Sequence, residues 1–159
     1  MPILAKSGRV VIAESIKARP VHVAWGSGDG AWIEPPSEDV DATALVNEIG
    51  RRLADVVSYV VPDEDGLIEL STGRFSLSEA PTNHLYIQVK FTFGDEPSGV
   101  IREIAAIVGT VTDPALPAGQ RYFTPAQVVE PGRLMHLENL PPIFRSSAIE
   151  ETFQIVITF

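Results

Sequence analysis

Hydrophobic positions along this chain change period several times, and each change predicts an element. Val10, Ala13 and Ile16 recur at three residues after Ser7, so a helix capped by Ser7 is expected through about Lys17. Val11 and Ile12 offer an alternative inward set, and Pro20 closes the segment. Val21–Trp25 then alternates as a strand. Further on, Ala42, Leu45, Val46 and Ile49 recur at three and four residues, predicting a second helix capped by Asp41 and stopped by Gly50. From Leu53 the period becomes two, which predicts one long strand to Val61, ended by the turn Pro62–Gly66.

The middle of the chain reads as β structure. Leu67–Leu70 and Arg74–Leu77 flank Thr72-Gly73, and His84–Phe93 alternates cleanly. Val100–Val108 is bounded by glycines and reads as a strand, although a short helix fits the same residues. Asp113–Gln120 should be an exposed loop. Leu134–Leu137 is a short β segment among prolines 125, 131, 141 and 142, and Glu151–Phe159 is a terminal strand. The expected class is α+β, mainly antiparallel β with two short helices in the N-terminal third, over a single domain 1–159.

Between Trp25 and Arg52 the chain concentrates special backbone residues: Gly26, Gly28 and Gly30, then Pro35-Pro36. Gly26-Ser27-Gly28-Asp29-Gly30-Ala31 spells G-x-G-x-x-A after a strand, close to a dinucleotide fingerprint. That fingerprint requires a helix whose N-terminal amides meet the pyrophosphate, and Pro35-Pro36 forbids one of useful length. Asp29 would also set a carboxylate beside the phosphates. The stretch therefore reads as a positional turn, with Arg51-Arg52 placed to meet acidic groups or a partner chain.

Charge narrows the classes further. The 159 residues carry a formal net charge of −9, with 45% hydrophobic and 21% charged residues, and the pI is about 4.7. A nucleic-acid binder needs a basic face and an anionic membrane attracts one, so neither partner is expected. No cysteine is present, which excludes disulfides and thiolate chemistry. His22, His84 and His136 lack metal-ligand spacing, Asp63–Gly66 is too sparse for a calcium loop, and Ser146-Ser147 lacks a nucleophile elbow. No catalytic, cofactor or metal residue is assigned. The N-terminus has no signal-peptide h-region and no run reaches membrane-spanning length, so folding in a cytoplasm is expected.

Four segments carry a resemblance. A helix-to-strand lead-in at Ser7–Trp25 ends in Gly28-Asp29-Gly30; Thr43-Ala44-Leu45-Val46-Asn47-Glu48 precedes Arg51-Arg52; Ile101-Arg102-Glu103-Ile104-Ala105 follows. The ending from Leu140-Pro141-Pro142-Ile143-Phe144-Arg145-Ser146 into Phe153–Phe159 is similar to that of small phage tail proteins. In this order, over about two thirds of the chain, the segments resemble the N-terminal baseplate-attachment domain of bacteriophage tail-collar fibre proteins.

The resemblance implies a non-enzymatic structural protein of the virion tail, assembled in the host cytoplasm. Its implied partners are other tail or baseplate proteins and a tail fibre, with a homo-oligomer, a trimer by preference. Family members continue into a fibre shaft whereas this sequence stops at Phe159, so an adaptor or collar role is expected. Asn47, Glu48, Arg102 and Glu103 are polar residues set in apolar elements, and a Glu48–Arg102 pair would lock the helix to the strand. Trp25, Trp32, Phe123, Phe144 and Phe159 are candidate interface anchors, although Trp25 and Phe159 suit a core. Asp29, Arg51, Arg52 and Arg145 complete the interaction candidates. An alternative is a carbohydrate- or small-molecule-binding β-module, with Trp25, Trp32, Asp29 and Glu34 as a saccharide platform.

Overall fold

Order along the chain follows helix, then strands. The computed structural model describes residues 1–96 and 98–159. Its elements are α1 (Lys6–Lys17), β1 (Val21–Gly26), β2 (Glu48–Leu53), β3 (Val56–Pro62), β4 (Ile68–Leu70), β5 (Gly73–Ser78), β6 (His84–Phe91) and β7 (Ser98–Val108). They continue with β8 (Val111–Thr112), β9 (Tyr122–Phe123), a 3-10 turn at Pro125–Gln127, β10 (Val128–Glu130), β11 (Arg133–Ser146) and β12 (Glu151–Thr158). The class is mainly antiparallel β with one α-helix among the described residues.

Two compact units share the chain. The first takes residues 1–19, 54–89 and 152–159, and the second takes 20–53 and 90–151.

In the first unit, α1 accompanies a five-stranded sheet of order β12-β6-β3-β5-β4. The helix starts after Ala5, which makes no side-chain cap bond, so Ser7 is not the cap; it lies inside the first turn. Of the two possible inward sets, burial selects Ala13 and Ile16. Val11 and Ile12 face outward, 60% and 37% exposed. The Lys17 ammonium sits 5.5 Å from the Tyr59 ring centroid, over β3. Val60, Phe75 and Tyr86 form the core, flanked by Val56, Ile68 and Val156. The 63–66 turn closes as expected: Gly66 N–H donates to Asp63 O at 2.9 Å and Asp65 N–H to Asp63 Oδ1 at 3.0 Å.

The second unit holds a five-stranded sheet of order β11-β7-β1-β2-β9 and a β8-β10 ribbon. β1 lies between β7 and β2, paired antiparallel to both, and every residue of it is buried. That explains a strand apolar on both faces apart from His22. Val100–Val108, ambiguous in sequence, is the inner part of β7, because only an extended chain can pair with β1 and β11 together. Leu134–Leu137 belongs to a fourteen-residue strand, β11. Pro141-Pro142 lies inside it, between Asn139↔Glu103 and Ile143↔Ile101, where the register shifts. β11 is an edge strand, so prolines without N–H groups are tolerated there.

Two expectations fail for tertiary reasons. The second helix is absent: residues 41–47 form turns and bends, and Glu48–Leu53 is strand β2. Of the helix's apolar set Leu45 is buried, but Val46 is 65% exposed. Gly50, expected as a helix stop, pairs with Trp25 in the sheet. The long strand from Leu53 is likewise two strands: the chain breaks at Ala54-Asp55, where β2 ends in one unit and β3 begins in the other.

A Cβ on Gly50 would lie 2.3 Å from the Tyr122 hydroxyl and 2.9 Å from Phe123 O. Gly50→Ala should therefore destabilise the second unit by about 1–3 kcal/mol, measured as a lower urea midpoint at unchanged slope.

Candidate functional site

A long loop, residues 27–47, leaves β1 and returns into β2, and β7 holds its neck. Glu103 on β7 is buried, and its carboxylate accepts three backbone N–H groups. Val46 donates to Oε1 at 2.8 Å; Gly28 and Asn47 donate to Oε2 at 3.1 and 3.2 Å. Ser27 N–H donates to Asn47 O at 2.9 Å, and Asn47 Nδ2 donates to Ser27 Oγ at 2.6 Å. Arg102 Nη1 adds a bond to Ser27 O at 3.1 Å.

This neck accounts for the glycines. A Cβ on Gly26 would meet Glu103 Oε2 at 2.5 Å and Asn47 O at 2.7 Å. Gly28 adopts φ +59 with the Trp32 ring against its Cα, where a Cβ would come within 2.5 Å. The Gly28 amide, which a phosphate would need, already serves the chain's own carboxylate.

A second fastening lies farther along the loop. Asn139, at the β11 register break, donates its N–H to Glu38 Oε1 at 2.9 Å and its Nδ2 to Pro36 O at 2.9 Å. The Asn139 amide holds the Glu38 carboxyl below its ordinary pKa, so the acceptor stays ionised.

Three arginines brace the surrounding sheet. Arg51 makes a bidentate pair with Glu48, 2.7 Å at each nitrogen, and Nη1 donates to Thr110 Oγ1 and Pro131 O at 2.7 Å. Arg52 points to the other face and pairs with Asp95 at 2.9 Å. Arg145 donates to the backbone carbonyls of Thr92, Asp95, Ser146 and Ile149, with its guanidinium carbon 5.4 Å from the Trp25 ring centroid. Trp25 stacks on Phe91 at 3.7 Å and donates Nε1–H to Tyr122 OH at 2.9 Å. Burial pushes the Tyr122 phenol up to about 12, so it remains a neutral partner.

The structure thus brings Asn47, Arg102 and Glu103 together at the loop neck, and joins Trp25 to Arg145 in the core beneath. The expected Glu48–Arg102 pair does not form. Glu48 pairs with Arg51, three residues on along the same strand, and Arg102 is directed to Ser27 O. The saccharide platform also loses a member, since Trp25 is fully buried. Asp29 serves its own turn, accepting Ala31 N–H at 2.9 Å, and Trp32 is half-buried over Gly28. Phe123 is buried against His22, whereas Phe144 is 75% exposed.

Sequence reading missed Asp95, Tyr122 and the Glu38–Asn139 fastening. Their partners are between 43 and 101 residues away, and no local pattern announces them.

Outward, the loop shows apolar side chains to solvent. Ile33 and Val40 are each 96% exposed. The same loop lines a groove of about 450 Å³ with Trp32, Pro36, Asp39, Asp41 and Val46, together with Leu137 of β11.

A family model described as baseplate wedge 3 tail fiber network component matches residues 1–159. The chain belongs to that family. It is therefore a phage tail structural protein, a component of the baseplate and its tail fiber network, and its place is the virion tail. A search of curated proteins finds no match to this baseplate component.

Glu103→Ala should strand three amides and lower stability by about 3 kcal/mol. Hydrogen exchange should show Gly28, Val46 and Asn47 losing protection before the β1–β7 ladder does.

His22 gives a pH dependence. It is buried on β1, and Nδ1 has no hydrogen-bond partner among the described residues. Burial, then the Arg51 and Arg121 charges, lower its pKa from 6.5 to about 4. Above pH 6.5 both folded and unfolded states are neutral there. As pH falls toward 4 the unfolded chain binds a proton that the fold refuses, so stability falls through that window. The loss should approach about 3 kcal/mol and level off below it. His22→Gln should flatten this portion of the stability–pH curve, read from urea unfolding between neutral and acidic pH.

Proposed function

We propose that this protein is a non-enzymatic adaptor that joins the baseplate to a tail fibre, acts by surface complementarity and assembles as a homo-oligomer, with a trimer favoured. The observation that carries the reading is the 27–47 loop: fastened at its neck by Glu103 and farther along by Asn139, yet presenting Ile33 and Val40 to solvent. A loop already ordered loses little conformational entropy on docking, which suits a permanent assembly contact. Phe144, beside the buried Arg145 on the edge strand β11, offers a second exposed aromatic anchor. Membership of a tail fiber network family supports tail proteins as the partners. Assembly in the host cytoplasm is part of the same proposal.

Deletion of the gene should yield tails or baseplates lacking attached fibres, seen by negative-stain electron microscopy. Complementation with an Ile33→Asp, Val40→Asp variant should leave the folded protein in the lysate but reduce its incorporation. Normal fibre-bearing particles without the protein would overturn the adaptor role.

A further inference from the structure

The two five-stranded sheets end in four outer strands, β4, β9, β11 and β12, and three of these are guarded against pairing with another chain. β9 has two residues and β4 three, too few to template a long ladder. β11 is long but carries Pro141-Pro142 and two register breaks. β12 has none of these devices. Its eight residues, Glu151–Thr158, hold no proline, glycine or lysine, and their one charge is at the first position.

The free side of β12 follows from its end. Phe159 N–H donates to Asn83 O at 3.0 Å, on the side of β6. Backbone groups alternate along a strand, so Thr152, Gln154, Val156 and Thr158 direct N–H and C=O away from β6. Among the described residues no further strand pairs with that edge. Thr152, Gln154 and Thr158 are exposed, while Phe153 and Ile157 are half-buried on either side of the buried Ile155. Outward backbone groups beside aromatic and β-branched side chains, with almost no charge, form a template for strand addition; left uncovered, they invite aggregation.

The strand is also self-complementary. We propose that β12 pairs antiparallel with β12 of a second copy, about a two-fold axis at Ile155, and joins two five-stranded sheets into one. In this register Gln154 meets Val156 and Thr152 meets Thr158 of the second copy, and these outward-directed residues form the hydrogen-bonded pairs. Phe153 meets Ile157 at the closer positions between them, an aromatic and β-branched pair that covers what each copy leaves half-buried. Glu151 falls opposite Phe159, so no like charges face each other, which matters in a chain of net charge −9. This inference rests on the homo-oligomer reading and adds the surface that meets. The contact is isologous and joins copies in pairs, so a trimer uses a further surface and β12 then links one trimer to another.

The absence of cysteine makes the test direct. Thr152→Cys and Thr158→Cys, both at exposed sites, are prepared separately and labelled with a nitroxide, with folding checked by circular dichroism. Each residue lies six positions from its mate along the paired strands, so double electron–electron resonance should give backbone separations of about 20 Å for both. Any other register makes the two distances unequal. Gln154→Pro removes one outward N–H, a change that an edge strand tolerates, and should weaken self-association by about tenfold in sedimentation velocity.

A wild-type chain that stays monomeric overturns this contact and the homo-oligomer reading together. An oligomer that ignores Gln154→Pro and shows no such coupling overturns this contact alone, and the edge then serves a strand of a different tail protein. Coupling at two unequal distances overturns the register about Ile155.

Discussion

One buried carboxylate holds together the two ends of the long loop between β1 and β2. Glu103 accepts three backbone amides from two separate stretches of chain, at Gly28 and at Val46-Asn47. A carboxylate taken out of water is costly unless its lone pairs are filled, and here amide donors fill them. The consequences spread outward. Gly26 must be glycine because the carboxylate lies against its Cα. Val46 and Asn47 turn their amides toward β7 instead of along the axis of the expected helix. The loop between them gains a closed neck, and Asn139 fastens its far part to the β11 register break.

The arginines extend the same logic to a protein with few cations. Of twelve lysines and arginines, Arg51 and Arg145 are buried inside the second unit, and Arg52 is committed there to the buried Asp95. Arg51 has its donors distributed among Glu48, Thr110 and Pro131, while Arg145 satisfies backbone carbonyls and lies over Trp25. Charges spent inside cannot neutralise the surface. The outside of the 27–47 loop is left acidic and apolar at once.

Much of the fold was legible from local periodicity. Residues near Lys6–Lys17 form the expected helix, Val21–Trp25 the expected strand, and Leu67 to Phe93 the expected run of strands, because each segment's own residue pattern suits the element it forms. The same reading failed at Ala42–Ile49, whose helical spacing is real but whose amides and glycine are claimed by Glu103, Trp25 and Tyr122. It paired Glu48 with Arg102 because both are polar residues in apolar settings; on β2 the nearer Arg51 reaches Glu48 with both nitrogens.

By itself the sequence determined the predominance of antiparallel strands and the resemblance to phage tail proteins. Those follow from residue order, proline placement and motif succession, all of them local properties. Only the tertiary structure decided that α1 turns Val11 and Ile12 outward, that Trp25 donates to Tyr122, and that Glu103 fastens the loop. Each depends on groups brought together across 56 to 97 residues or on which face a sheet leaves open, and no period within a single segment encodes that.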